Sequence, residues 1–334
     1  MNIVDLFAGV GGLSLGFRQE KYNILLSTDI DEDCKDTYTL NWPKSLYLCE
    51  DIRKITPKTL QQSLGASNVE IIVGGPPCKG FSTIGARASS DEMMRKRFDE
   101  RNFLFRDFVK VVNKVGPKIF LFENVSGLLN FNNGFIFEEI KNSFRKIGYK
   151  IEHNLLDAVN YGVPQYRKRV FIVGRKRNKE IGFPPISYKW AKHMPCFKTV
   201  GEVISDLAGL ENNFPNHIPL NHGDKNIRRY KFIPEGGRMP EDKLPSDLYR
   251  KNFGNTFKRL DRNKPSLTMV PGHNAFPIHP WLHRSLTVRE AARIQTFPDD
   301  IIFTGPRHSQ CLQVGNAVPV NLARAWAIHL KNEL

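Results

Sequence analysis

Cys78 stands where a nucleophile could serve. "VEIIV" (69–73) reads as a buried strand, and "GGPPCKGFS" (74–82) then places the thiol directly behind Pro76 and Pro77. Two prolines fix the backbone torsion and remove two amide donors, so the cysteine sits at a rigid corner. A single cysteine is most often a small core hydrophobe, and Cys78 alone carries either reading. Glu123 closes a later strand-like run, "KIFLFENV", while "QYRKR" supplies Gln165, Arg167 and Arg169 just ahead of "VFIVG". A thiol, a carboxylate and two guanidiniums, each from a strand end, could converge on one substrate. The arginines could stabilise a thiolate, clamp the carboxylate or hold a phosphate.

A second constellation lies near the start. "DLFAGVGGLSLGF" (5–17) follows the first strand and opens a helix, with Gly9, Gly11 and Gly12 permitting a tight turn and close approach to a ligand. In doubly wound sheets, ligands collect at such carboxyl ends of strands. The dinucleotide spacing Gly-x-Gly-x-x-Gly fails at Ser14, and no phosphate-loop Gly-Lys-Ser/Thr is present. A small nucleoside ligand without a pyrophosphate fits better. Asp29 ends the second strand, where it can accept ribose hydroxyls while Ile30 lies against an adenine ring. Asp51 and Ile52 follow the third strand, where the carboxylate could take the adenine amino group. Each acid alone reads as a loop residue or helix cap, and only their shared place at strand ends lifts them.

The elements that must position these residues alternate over residues 1–175. Short apolar runs ("NIVDLF", "YNILLSTDI", "LYL", "VEIIV", "KIFLFE", "RVFIVG") are separated by amphipathic segments at 13–20, 31–42, 102–112 and 135–147. Such alternation signals βα units around a mostly parallel sheet. Residues 176–283 lose the periodicity and suggest a smaller, irregular domain. Residues 284–334 regain it: a Ser or Thr can cap a helix in "SLTVREAARIQTF", and Pro319 suits the first turn of a last helix. Val320, Ala323, Trp326 and Leu330 share a face of that helix, so the C-terminal segment is expected to return to the first domain.

Composition narrows the partners. The 334 residues are 40% hydrophobic and 25% charged, as in ordinary globular proteins, with no apolar run long enough to span a membrane and no signal peptide at the start. A cytoplasmic location is expected. Five cysteines without a Cys-x-x-Cys pair argue against disulfides and zinc, and Pro280 between His279 and His283 argues against a metal-binding helix. The net charge is +15, and residues 176–283 hold eighteen Lys and Arg against ten Asp and Glu, a net of +8. Aromatics sit among those charges in "RRYKF" and "LYRKNFGNTFKRL", which favours nucleic acid.

Together these segments resemble the motif series of the DNA (cytosine-5)-methyltransferases. "DLFAGVGGLSLGF", "GGPPCKGFS", "FENV", "QYRKRVFIVG", "RSLTVREAARIQTFPD" and "QVGNAVPVNLARA" stand in that family's order from residue 3 to about 327, leaving out the basic 180–260 region. The resemblance implies an S-adenosylmethionine-dependent methyltransferase (Rossmann-like) α/β fold with a smaller, irregular target-recognition domain. It implies a target cytosine flipped out of duplex DNA. Cys78 would add to carbon 6, Glu123 would hold ring nitrogen 3 and the exocyclic amine, and Arg167 and Arg169 would position base, acid and phosphate. Phe7, Ala8, Gly9, Gly11, Asp29, Ile30, Asp51, Ile52, Pro76, Leu104 and Asn316 would line the S-adenosylmethionine pocket. Residues 82–101, with Ser82 and Arg87, resemble a loop that closes over DNA. Gln165, Arg228, Arg229, Arg250, Lys251, Lys258 and Arg259 are candidates for DNA contact. No metal, a monomeric state and a cognate restriction endonuclease elsewhere are the accompanying expectations. One rival is a transfer-RNA methylase of the same build, whose Cys-Phe-Thr signature is missing here; the other is a non-catalytic binding module.

Overall fold

The computed structural model of the chain describes residues 1–77, 100–176, 179–187, 190–191, 194–195, 197–249, 257–269 and 276–334. Seven strands form one sheet: β1 (Asn2–Leu6), β2 (Asn23–Asp29), β3 (Tyr47–Cys49), β4 (Ile71–Gly74), β5 (Ile119–Val125), β6 (Lys150–Asp157) and β7 (Lys168–Arg175). Their spatial order is β3-β2-β1-β4-β5-β7-β6. β1 to β5 run parallel, and β7 runs antiparallel to both β5 and β6. The expected mostly parallel α/β sheet is therefore present. β1 lies between β2 and β4, so strand order reverses there, and the crevice beyond the carboxyl ends of β1 and β4 is where this architecture binds ligands.

The helices α1 (Gly12–Gln19), α2 (Glu32–Asn41), α3 (Pro57–Leu64), α4 (Phe105–Val115) and α5 (Phe135–Lys146) connect these strands. Their starts follow local chemistry. Asp31 accepts from the Cys34 amide to cap α2, and Thr56 caps α3 with Pro57 in its first turn. β4 and β5 are apolar on both faces because helices cover both sides of the sheet. On one side Phe120 stacks on Phe144 of α5, with ring centroids 3.8 Å apart, and Phe108 of α4 meets Phe122 edge-on.

The chain divides into two compact units. The first comprises Met1–Asp157, Lys168–Pro185 and Ala323–Leu334, and the second Ala158–Arg167 and Ile186–Leu322. The sequence suggests borders at 175/176 and 283/284 instead. Residues 284–322 go with the second unit because their side chains pair there: His217 Nδ1 lies 2.9 Å from Thr287 Oγ1, and Arg293 reaches Asp206 at 2.6 Å. The helix Val288–Ile294 has its predicted cap, a reciprocal pair between Thr287 and Glu290.

Of the C-terminal segment only Ala323–Leu334 belongs to the first unit, which takes in all but the first three residues of the last helix (Val320–Lys331). Trp326 packs against Phe171 and Phe183, and the Tyr22 hydroxyl donates to the Ala327 carbonyl at 2.9 Å. α1 touches this helix at Gly16, where an added Cβ would lie 2.5 Å from the Ala323 Cβ. Gly16→Ala is therefore expected to destabilise the protein. Overpacking costs about 1–3 kcal/mol, against a helix-propensity gain of at most about 1 kcal/mol. Urea unfolding should show a lower midpoint with unchanged slope.

Candidate active site

β1 leads into a turn whose shape depends on backbone strain and on an acid from β2. Phe7 and Gly9 adopt left-handed torsions, φ 58° and 52°. That costs a phenylalanine free energy, so the surrounding structure must hold the turn in place. Nothing lies within 4 Å of where a Cβ on Gly9 would stand, so this side of the turn is open. Asp29 holds the turn from below: one carboxylate oxygen accepts from the Gly9 amide at 2.9 Å, the other from the Ile30 and Asp31 amides at 2.8 and 3.2 Å. Burial raises the Asp29 pKa, opposed by these amides. Ile30 beside it is 66% exposed, an apolar surface without a protein partner over most of its area. Tyr47 donates its hydroxyl to the Gly9 carbonyl at 3.0 Å.

The remaining predicted pocket residues differ in what they offer. Asp51 caps the short turn Ile52–Lys54 and pairs with Arg53 at 2.5 Å, whose hydrogen bonds lower its pKa. Ile52 is buried in the core of the first unit, with Leu104 packed against the same core. Asn316 ends a helix of the second unit (Arg307–Asn316).

The acid is the best-defined reactive group. Glu123 lies near the end of β5, opposite Phe171 of β7, so Arg169 is its diagonal neighbour. The Arg169 guanidinium lies 2.9 Å from Glu123 Oε1, with both side chains nearly buried. A Cβ on Gly75 would sit 2.7 Å from Glu123 Oε2. Glycine at 75 therefore lets the turn after β4 lie directly on the carboxylate. The Asn124 side-chain Nδ2 donates to the Pro76 carbonyl at 3.1 Å and ties the same turn to β5. The predicted nucleophile, Cys78, lies outside the described residues, as do Ser82, Arg87, Arg250 and Lys251.

The family model described as C-5 cytosine-specific DNA methylase matches residues 1–332. The chain belongs to that family. The Type II methyltransferase M1.HphI of Haemophilus parahaemolyticus is 37% identical over 335 residues, covering 98% of this chain and 86% of that protein. M.DdeI of Desulfomicrobium norvegicum, also named a Type II methyltransferase, is 34% identical and covers 98% and 88% respectively. Among solved structures, a prophage-encoded DNA modification methyltransferase of E. coli superposes with a TM-score of 0.71 at 27% identity over 99% of both chains. The S. pombe Dnmt2 methyltransferase, at 18% identity and a TM-score of 0.64 over 100% of this chain and 99% of that one, shares the fold.

This C-5 cytosine methylase places its other predicted site residues in the second unit, and several carry a different load from the expected one. Arg167 is buried, and its terminal nitrogen donates to the carbonyls of Asn316 and Ala317 at 3.3 and 3.0 Å, bracing the "QVGNAVP" segment. Gln165 is fully buried. Arg259, expected at the DNA surface, is 3% exposed, and its guanidinium donates to the carbonyls of Tyr230, Ile233, His279 and Leu282. A guanidinium with five donors in a fixed fork suits that cage, and burial requires it to be filled. Arg229 is likewise buried and donates to the Leu248 carbonyl at 2.7 Å. Arg228 stays exposed, paired with Asp247 at 3.0 Å.

Lys258 has a neighbour that sequence reasoning missed. Arg238 forms an isolated antiparallel bridge with it, so both cations stand on one face. Burial and the Arg238 charge lower the Lys258 pKa. The "HPWLH" histidines serve packing: His279 is buried, which pushes its pKa down to about 4, and His283 faces Arg259 at 3.1 Å. Among the described residues no three His, Cys, Asp or Glu side chains are placed to hold a metal, and no helix is long and apolar enough to cross a membrane.

A further acid, also missed, underlies the turn after β1. Asp5 is fully buried and accepts from the Ser14 amide and hydroxyl at 3.1 and 2.6 Å. Its Oδ1 has no partner among the described residues. Burial, stronger than the Ser14 bonds, pushes its pKa up to about 7 from 3.8. Folded Asp5 thus holds a proton that the unfolded chain has released between these two pH values, so its contribution to stability falls as pH rises through that window. Asp5→Asn should flatten the pH dependence of stability between pH 5 and 7 by up to about 1.4 kcal/mol per unit. Urea unfolding at each pH measures it, and parallel slopes for variant and parent would count against the assignment.

Proposed function

We propose that the chain transfers a methyl group from S-adenosylmethionine to carbon 5 of a cytosine flipped out of duplex DNA, through an adduct with Cys78. The observation that carries this reading is Glu123, held by Arg169 and packed against Gly75, two residues before Pro77 and three before Cys78. The turn after β1 fits the cofactor. Gly9 leaves open space, Ile30 offers an apolar face for adenine, and Asp29 presents a carboxylate. Three backbone amides occupy most of the roughly four acceptor directions of Asp29, so it has room for about one ribose hydroxyl. When bound, S-adenosylmethionine supplies an electrophilic methyl group.

Cytosine carbon 5 is a weak nucleophile until the ring loses conjugation. The Cys78 thiolate adds to carbon 6 as the carbon 5–carbon 6 π bond opens, and Glu123, entering this step with a proton drawn from solvent, passes it to ring nitrogen 3 as charge builds there. Arg169 fixes the rotamer from which Glu123 does so. After methylation, solvent water takes the carbon 5 proton as the thiolate leaves carbon 6, and the nitrogen 3 proton returns to Glu123, restoring the neutral ring. The Type II methyltransferase names of the relatives support a role beside a restriction endonuclease of the same specificity.

Labelled S-adenosylmethionine should transfer its methyl group to duplex DNA; transfer to transfer RNA, or to neither, would favour the rival readings. Cys78→Ser should lose turnover while still binding DNA and cofactor, and duplex with 5-fluorocytosine at the target should trap a covalent adduct on Cys78. Adduct formation on another cysteine would refute the role. Bisulfite sequencing of DNA from expressing cells reads the target.

Lys258 and Arg238 are proposed to contact DNA phosphate, since two cations on one face attract a polyanion. Removing both charges with Lys258→Gln and Arg238→Gln should lower the salt slope of DNA binding by about 0.9 for each phosphate that the protein then leaves unneutralised. Fluorescence anisotropy against salt concentration gives the slope, and an unchanged value would place the pair away from DNA.

A further inference from the structure

The turn that precedes Cys78 has little hold from the sheet itself. The paired register of β4 with β5 ends at Gly74 opposite Phe122. Beyond it, Pro76 and Pro77 have no amide hydrogen to donate. Asn124 takes over at that point. Its side chain is buried, 4% exposed, with Nδ2 donating to the Pro76 carbonyl at 3.1 Å and Oδ1 accepting from the Val125 amide at 2.9 Å. The Val125 bond fixes the orientation of the carboxamide, so its donor points at Pro76 and not away from it. The same turn meets Glu123 through Gly75. Consecutive residues of β5 thus carry the acid and grip the turn that leads to the thiol.

We propose that Asn124 is a positioning residue for methyl transfer: it anchors the Pro76–Pro77 turn, from which the chain continues into Cys78. The inference rests on the reading that Cys78 and Glu123 act on one cytosine. Asn124→Ala leaves the Pro76 carbonyl without this donor and frees the turn to shift. Asn124→Asp keeps the shape but turns a donor into an oxygen facing an oxygen. Protonation of that carboxyl gives back an O–H donor, and burial favours the protonated form.

The test is the rate of covalent adduct formation with 5-fluorocytosine duplex and saturating S-adenosylmethionine, read by denaturing gel, alongside thermal unfolding at each pH. Misplacement of a reacting group by about 1 Å costs roughly 100-fold, and Asn124→Ala is expected to lose adduct rate on that order while remaining folded. Asn124→Asp should be slow at pH 8 and approach the parent rate as pH falls to 6 while staying folded at the assay temperature throughout; its melting temperature relative to the parent should itself fall as pH rises, because the folded variant keeps a proton that the unfolded chain has released. A folded Asn124→Ala that forms adduct at the parent rate would overturn the inference. So would an Asn124→Asp to parent rate ratio that stays constant with pH, and this second comparison decides the matter alone if the alanine variant does not fold. Absence of any Cys78 adduct in the parent enzyme would instead bring down the underlying reading and this inference with it.

Discussion

The Glu123 carboxylate occupies the space where any side chain at position 75 would begin, while Arg169 holds its other oxygen. Much of the first unit serves to keep that arrangement. β4 and β5 pair in parallel so that both end at the same edge, and phenylalanines from α4 and α5 pack the face of β5 beneath it. The acid could not tolerate this position without a cation: a nearly buried carboxylate needs a charge partner or donors to offset lost hydration. Arg169 provides both, and its diagonal place across the β5–β7 pair means that strand register, and not a flexible loop, sets the distance.

Two other acids sit beside the neighbouring turn, and burial raises the pKa of each. Their surroundings differ in a way that suits different tasks. Asp29 is supported by three amides and borders an open turn and an exposed isoleucine. Asp5 lies entirely inside and, among the described residues, is satisfied through Ser14 alone, with one oxygen left over. On the proposed reading the first meets the cofactor. The second ties β1 to the start of α1, beneath the turn whose shape the ligand would read.

How far the sequence discloses this depends on the range of the forces involved. β1, β4 and β5 announce themselves because burial on both faces leaves continuous apolar runs, and the glycines, prolines and strand-end acids carry local geometry. β6 escapes notice because it is an edge strand whose "KIEHN" start is mostly polar, so no period marks it. The second unit is the least legible. Its arginines look alike in composition, yet Arg259 is caged by carbonyls from 20 or more positions away and Arg228 stands in solvent. Charge reports that a residue is basic, not whether the fold has already supplied its acceptors. Asp5 does leave a signal, an aspartate within an apolar strand, and Arg238 leaves none, because its partner is twenty residues distant.

The reversed direction of β7 has a consequence for how this enzyme can change. Parallel neighbours bring only their carboxyl ends to the reactive edge, but β7 arrives there with its first residues, Lys168 and Arg169. A one-residue slip of β7 would exchange its two faces, replace the guanidinium beside Glu123 with Val170 or Lys168 according to its direction, and leave the ladder's hydrogen bonding available to re-form. Insertions and deletions between β6 and β7 are thus constrained by chemistry more than by folding, and drift in length should accumulate elsewhere in the chain first.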